Sequence, residues 1–212
     1  MDKAILDSAL PLIKNALKED LGSRGDITTL AMNTGSENVT ARVIAKQSGI
    51  IAGLEIAIHV FTYMDLNIQF TAHVKDGEWV GSGDILLQLT GPANAILSAE
   101  RTALNFLGRL SGIATLVFKF SQQIKNTETK ILDTRKTTPG WRILEKYAVR
   151  CGGCVNHRTG LYDMFLIKDN HISTAGSITR AVNKCRDYMR MNHFSAEIEV
   201  ETKSLEEVNE AL

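Results

Sequence analysis

The chain has no excess charge of either sign: 24 Lys and Arg balance 24 Asp and Glu, the formal net charge is zero and the pI is about 7.0. Binding a nucleic-acid backbone needs a broad basic face, so this balance argues against that class of partner. Cysteine is scarce and odd in number, at Cys151, Cys154 and Cys185, which is unlike a secreted disulfide framework. Long apolar runs are missing too. The run around Ile113 to Val117 is far below the ~20 residues that span a bilayer, and Met1-Asp2-Lys3 is not expected to open a signal peptide. A cytoplasmic protein with no membrane role is therefore expected. No Walker loop, dinucleotide-binding glycine fingerprint, nucleophile elbow or zinc-protease helix occurs. His59, His73 and His193 stand singly, without a partner at metal-ligand spacing.

What remains is a chain of 212 residues, 44% hydrophobic and 23% charged, long enough for one large domain or two smaller ones with a real core. Ile5, Leu6, Leu10, Ile13, Leu17 and Leu21 repeat at helical spacing, and Gly22 follows as a stop. Strand-like runs follow at Val39–Ala45, Asn67–Val74 and Asp84–Leu89, interrupted by a short helix around Leu54–Tyr63. Together they read as an α+β layer of antiparallel strands with helices on one side. Asp76-Gly-Glu-Trp-Val-Gly-Ser-Gly-Asp84 has the hairpin pattern of lipoyl or biotinyl carriers but lacks their lysine, so it is read as turn chemistry only.

From Asn94 to about Ile124 runs a long helical pattern, with a break expected near Ser111-Gly112. Arg101, Asn105 and Arg109 fall at i, i+4 and i+8 on it, a polar stripe on a helix otherwise nearly all apolar. Such a helix is expected between domains or subunits, where its arginines need partners.

After Thr129 short strands alternate with helices. A strand is expected at Lys130–Thr134, a helix at Trp141–Arg150, a strand at Met164–Lys168, a helix at Gly176–Met191 and a strand at Ala196–Glu201. A last helix is opened by the capping box of Ser204 and Glu207. This is the βα rhythm of a parallel sheet or barrel, with three units, too few for a closed eight-stranded barrel. The fold class expected is thus α/β: an α+β N-terminal layer domain over residues 1–115, then an incomplete βα barrel over 116–212.

One stretch of this charge-balanced chain is cationic. Between Ile131 and Ile172 stand seven Lys and Arg (Arg135, Lys136, Arg142, Lys146, Arg150, Arg158, Lys168) against four acids (Asp133, Glu145, Asp163, Asp169), with His157 and His171 besides. In parallel βα architectures the working residues sit at the C-terminal ends of strands. Arg135-Lys136, Lys168 and Glu201 each follow one expected strand, and His157-Arg158 come from the loop feeding the second, so all are expected on one rim. Planar arginine forks hold a carboxylate or phosphate bidentately and lysine adds a point charge. Thr137-Thr138-Pro139-Gly140 would add hydroxyls and a helix N-terminus. Glu201, the lone acid there, is a candidate for sugar hydroxyls or Mg²⁺. The bland alternative is a set of ordinary ion pairs. Cys151-Gly-Gly-Cys154 has zinc-like spacing but no second pair, and is read as small residues packed at a tight loop.

Several blocks carry a family resemblance: Glu19-Asp-Leu-Gly22 with Gly25-Asp-Ile-Thr28, Glu100-Arg-Thr-Ala-Leu-Asn-Phe-Leu107, Leu110-Ser-Gly-Ile-Ala-Thr115, Asp133-Thr-Arg-Lys-Thr-Thr-Pro-Gly140, Glu145-Lys-Tyr-Ala-Val-Arg-Cys-Gly-Gly153, Asn156-His-Arg158, Gly160-Leu-Tyr-Asp163 and Leu166-Ile-Lys-Asp-Asn-His-Ile172. In order and over nearly the whole chain, they resemble the quinolinate phosphoribosyltransferases. The resemblance implies transfer of phosphoribose from phosphoribosyl pyrophosphate to quinolinate with loss of CO₂, on the de novo route to NAD. It implies substrate binding by residues matching Thr134, Arg135, Lys136, His157, Arg158 and Lys168, catalytic roles for Lys136, Lys168 and Glu201, and Mg²⁺ as cofactor near Glu201. It also implies a homodimer or higher homo-oligomer in which Arg101 reaches the neighbouring subunit's site.

Family members continue with further strands carrying a Leu-Asp-Asn motif and a glycine-rich phosphate turn, so weak or no turnover is expected of these 212 residues. A same-fold paralogue, the molybdenum-transport accessory protein, shares the Thr-Arg-Lys-Thr and Gly-Gly…His-Arg blocks. Leu161-Tyr-Asp163 and Ile167-Lys-Asp-Asn-His171 are the quinolinate enzyme's version. A non-catalytic dicarboxylate-binding module is the remaining alternative.

Overall fold

The computed structural model describes residues 2–32 and 37–212, which form two compact units, Met1–His157 and Arg158–Leu212. The boundary expected at 115/116 lies inside one helix, Ala93–Ile124.

The first unit opens with α1 (Lys3–Leu21), whose buried Ile5, Ala9, Ile13 and Leu17 recur every fourth residue. The Asp2 carboxylate accepts from Ala4 N–H at its start, and Gly22, with φ +52°, ends it by donating its N–H to Lys18 O. Next come α2 (Ile27–Ala31), β1 (Asn38–Ile44), β2 (Gly49–Ile50), α3 (Leu54–Met64), β3 (Gln69–Ala72), β4 (Trp79–Val80), β5 (Ile85–Pro92) and α4 (Ala93–Ile124). β5 is the middle of a three-stranded antiparallel sheet, with β1 on one edge (Ala41 opposite Leu89) and β3 on the other (Phe70 opposite Leu89). Leu87 and Leu89 of β5 enter a core with Ile56, Val60 and Phe61 of α3 and Phe106 and Leu110 of α4. The sequence does not single out α2, β2 or β4, because elements of two to five residues carry too little periodicity.

Two expectations are corrected in this unit. α4 is one continuous helix of 32 residues, without a break at Ser111-Gly112. The Ser111 hydroxyl is taken up outside the helix, accepting from Ala52 N–H at 3.0 Å, and one turn on Thr115 Oγ1 accepts from Ile50 N–H at 2.9 Å. Both side chains stitch the β2 segment to α4 instead of competing with its backbone. α4 has the length and apolarity to cross a bilayer, but Ala99, Ala103, Phe106, Leu110 and Ala114 are buried in the core, which makes it a core helix. Secondly, Lys130–Thr134 forms no strand: a single parallel bridge joins Leu132 to Val155. Asp133 N–H donates to Val155 O and Val155 N–H to Ile131 O, and there the ladder stops.

The Asp76 turn does more than reverse the chain. Its carboxylate accepts from Gly53 N–H (2.8 Å), Leu54 N–H (3.0 Å) and Tyr147 O–H (2.6 Å), capping α3 from 22 residues away and tying it to α5 (Arg142–Cys151). α5 coincides with the helix expected at Trp141–Arg150. Gly53 at φ +90° supplies the left-handed backbone that aims both N–H groups at one carboxylate.

The second unit is a βαβ arrangement. β6 (Phe165–Ile167) and β7 (Ile198–Val200) pair in parallel, with α6 (Asp169–Ala175) and α7 (Ile178–Met191) between them in sequence and α8 (Leu205–Ala211) following. The helix expected over Gly176–Met191 starts two residues later: Gly176, at φ +95°, ends α6, and Ser177 caps α7 by accepting from Arg180 N–H. Ser204 Oγ likewise accepts from Glu207 N–H at 3.2 Å, but the Glu207 carboxylate reaches back to Lys203 N–H at 2.6 Å, one residue before the cap.

Candidate active site

In the first unit the residues after the Leu132 bridge carry the candidates. Thr134 Oγ1 accepts from Lys136 N–H at 3.1 Å, a turn that leaves Thr134 and Lys136 exposed and Arg135 half-buried between them. The Arg135 Nε is buried and meets no acceptor among the described residues. A buried donor without a partner costs about 1–3 kcal/mol.

Thr137 and Thr138 take arginines of their own chain. Thr137 Oγ1 accepts from Arg142 Nε at 3.1 Å, and Thr138 Oγ1 accepts from Arg109 Nη2 at 2.5 Å. Arg109 also pairs with Glu145 at 2.5 Å and lies over the Trp141 ring, which stacks on Phe106. Burial raises the Glu145 carboxyl, but hydrogen bonds from Arg109 and Thr138 outweigh it and leave its pKa below the usual carboxylate range. The polar stripe on α4 is thus split: Arg109 has its partner in its own chain, whereas Arg101 is exposed and has no ion-pair partner among the described residues. Arg101 lines a hollow with Asp26, Ile27, Leu97 and Ser98.

His157 closes the first unit and is held by groups that sequence reasoning passed over. Lys146 and Asp133 form a buried ion pair at 2.5 Å, their side chains 4% and 9% exposed. Asp133 Oδ1 accepts from His157 N–H (2.8 Å), Lys146 Nζ donates to His157 O (2.8 Å), and Asp133 Oδ2 accepts from Asn156 Nδ2 (2.6 Å). Asn156 Nδ2 also donates to Lys146 O. Lys146, counted among the seven cations, is therefore spent inside the protein.

In the second unit Lys168 and Glu201 stand just past the C-terminal ends of β6 and β7, and the structure brings them together at 3.0 Å. Both are about half exposed, and such a pair is worth only about 0–1 kcal/mol, so Lys168 can leave Glu201 for another anion at small cost. Glu201 is fixed through its backbone, whose N–H donates to Ile167 O at 2.9 Å. His171 is a cap: its Nδ1 accepts from Lys168 N–H at 2.9 Å at the start of α6. Beside it Asp169 pairs with Lys203 at 3.1 Å, and hydrogen bonds from Lys203 and then from Asn170 N–H hold its carboxyl below the ordinary value. Arg158 is half-buried, its Nη1 donating to Met164 O at 3.4 Å. Its loop is stapled by Asp163, which accepts from Thr159 N–H (2.6 Å) and Gly160 N–H (3.0 Å).

Cys151-Gly-Gly-Cys154 is a packing device. Cys151 ends α5, and burial pushes its thiol up to about 11, away from the thiolate form that metals and redox chemistry require. A Cβ on Gly152 would lie 2.5 Å from Ala114 O, so α5 can approach α4 only without one.

Comparison with known proteins places the whole chain. Residues 26–111 match the quinolinate phosphoribosyl transferase N-terminal domain, and residues 113–212 match its C-terminal domain. The chain belongs to the quinolinate phosphoribosyltransferase family. It is 45% identical over 201 residues to a probable nicotinate-nucleotide pyrophosphorylase (carboxylating) of Bacillus subtilis, covering 95% of this chain and 68% of that protein. To the chloroplastic nicotinate-nucleotide pyrophosphorylase of Arabidopsis thaliana it is 43% identical, covering 95% of the chain and 57% of the relative. The solved nicotinate-nucleotide pyrophosphorylase of Francisella tularensis superposes with a TM-score of 0.90 at 42% identity, over 97% of this chain and 71% of that one. These names favour the transferase over the molybdenum-transport paralogue. In this family quinolinate and phosphoribosyl pyrophosphate are the substrates.

Proposed function

We propose that this protein transfers phosphoribose from phosphoribosyl pyrophosphate to the ring nitrogen of quinolinate and releases pyrophosphate and CO₂, forming nicotinate mononucleotide. The observation that supports this most is the buried, partnerless Nε of Arg135 within a family-matching Asp133-Thr-Arg-Lys block. Quinolinate carries two adjacent carboxylates. In the first unit Arg135 offers a planar fork to a carboxylate, with Lys136 and His157 adding donors and Thr134 fixing the turn that presents Arg135; in the second unit Arg158 offers a fork and Lys168 a donor.

In the reaction the ring nitrogen bonds to the anomeric carbon as the bond to pyrophosphate breaks, through a cationic, oxocarbenium-like state. Lys136 and Lys168 stabilise the departing negative charge, and Glu201 faces the ribose. The pyridinium nitrogen then withdraws the electron pair left when the neighbouring carbon loses CO₂, and that carbon takes up a proton. No protein nucleophile is required, and the chain contributes position and charge.

Mg²⁺ fits this donor set in part. It is bound through one or two carboxylates plus substrate phosphates, and Glu201 is one hard oxygen donor. No group of three metal-binding side chains gathers among the described residues, so pyrophosphate and water would complete the shell. When bound, the ion neutralises the leaving pyrophosphate.

The active unit proposed is at least a homodimer, with Arg101 contributed across the interface. Its exposure without an ion-pair partner, beside exposed Ile27 and Leu97, supports this. A cytoplasmic location is proposed, although the Arabidopsis relative is chloroplastic by name.

Carboxyl-labelled quinolinate tests the reaction. With phosphoribosyl pyrophosphate and Mg²⁺ the protein should release one labelled CO₂ per nicotinate mononucleotide formed, and none when either substrate is withheld. CO₂ release independent of phosphoribosyl pyrophosphate would sink the proposal.

A further inference from the structure

We propose that the buried Asp133–Lys146 pair, braced by Asn156, is a positioning device that fixes the main chain on both sides of His157. This rests on the reading of His157 as a quinolinate-binding residue. The geometry is specific. One oxygen of Asp133 takes the His157 N–H at 2.8 Å, the Lys146 ammonium donates to the His157 carbonyl at 2.8 Å, and the two charges touch each other at 2.5 Å. Both main-chain polar groups of a single residue are thus pinned by one ion pair. The second oxygen of Asp133 takes Asn156 Nδ2 at 2.6 Å, which itself donates to Lys146 O, so the residue before His157 is fixed by the same pair.

As a stabilising device this arrangement would be a poor choice. Desolvating two charges costs about as much as their attraction returns, and an apolar pair of similar volume often serves stability as well. What an apolar pair cannot do is hold one peptide N–H and the next C=O in fixed directions. The surroundings explain the need. The bridge between Leu132 and Val155 is a single residue long, so no strand ladder continues to set the path of residues 156 and 157. The ion pair replaces that ladder: Asp133 lies directly after one bridge residue, Asn156 directly after the other, and Lys146 comes from α5. A residue that must offer its side chain to a substrate is thereby carried by side chains that never touch the substrate.

The test uses the double variant Asp133→Leu/Lys146→Met, which removes both charges together with the acceptor of the His157 N–H and leaves no lone buried ion. Two readouts are taken: hydrogen exchange of the His157 amide, and quinolinate affinity by calorimetry. The variant should stay folded, with its His157 amide exchanging at least about a hundredfold faster and quinolinate bound at least about tenfold more weakly, while affinity for phosphoribosyl pyrophosphate changes less than about twofold. Unchanged exchange would overturn the clamp, and faster exchange with unchanged quinolinate affinity would overturn its positioning role. If the double variant does not fold, Asn156→Ala keeps the ion pair and removes only the brace. It should weaken quinolinate binding roughly three- to tenfold, and unaltered binding there also overturns the proposal. A wild-type chain that takes up no quinolinate would instead sink the functional reading, and exchange at His157 would then decide the clamp alone.

Discussion

Replacing Arg135 by alanine should weaken quinolinate binding by at least about a hundredfold, equivalent to about 2.7 kcal/mol, while leaving the thermal midpoint close to that of the parent. The magnitude follows from what is removed. A hydrogen bond to a charged group contributes about 1.5–3 kcal/mol, and an arginine fork makes two to one carboxylate. The expected silence in stability follows from the structure, in which the Arg135 Nε has no acceptor to lose. Arg135→Lys separates charge from geometry: it keeps the cation but not the fork, and should recover only part of the affinity. Calorimetric titration of the three proteins reads these differences. An alanine variant that binds as tightly as the parent would remove Arg135 from the site.

The second large effect is on stability. Gly152→Ala should lower stability by about 2–4 kcal/mol, or roughly 5–10 °C in thermal midpoint for a protein of this size. The backbone at Gly152 has an ordinary φ of −77°, so the cost is one of space. An added methyl would lie 2.5 Å from the Ala114 carbonyl oxygen and 2.7 Å from the Val117 side chain, and backbone cannot retreat as the end of a flexible side chain can. Gly112→Ala is the internal control. It sits in α4, the helix that Gly152 packs against, with nothing within 4 Å of an added Cβ, and should stabilise by about 0.5–1 kcal/mol because alanine is the better helix former. Equal midpoints for the two variants would contradict the packing account of the Cys151-Gly-Gly-Cys154 loop.

Much of this was legible in the chain itself where the signal is periodic or local. Ile5, Ile13 and Leu17 announce α1 by their spacing, and Lys168 and Glu201 meet because both follow strands of a parallel pair. The split of the α4 stripe was not legible. Arg101 and Arg109 are equivalent in spacing, and only the tertiary position of Glu145, 36 residues on from Arg109, sets them apart. Lys146 reads as one more cation in a basic stretch, because Asp133, 13 residues earlier, becomes its partner only once α5 has folded back. Asp133 gathers groups 13, 23 and 24 residues away, and no local pattern encodes that convergence. Asp76 misled for the same reason: its turn chemistry is local, whereas its capping of α3 acts across 22 residues. Segments such as Lys130–Thr134 have strand composition yet pair through one residue, since whether a ladder forms depends on the neighbouring segment as well.

The central claim, that these residues form a site for a pyridine dicarboxylate, is tested most directly by calorimetric titration of the chain with quinolinate and with nicotinate, which lacks the carboxylate next to the ring nitrogen. Quinolinate should bind at one site per chain and at least about tenfold more tightly, since the second carboxylate adds a charge-assisted contact worth about 1.5–3 kcal/mol. Equal affinity for the two, or tighter binding of nicotinate, would contradict the account.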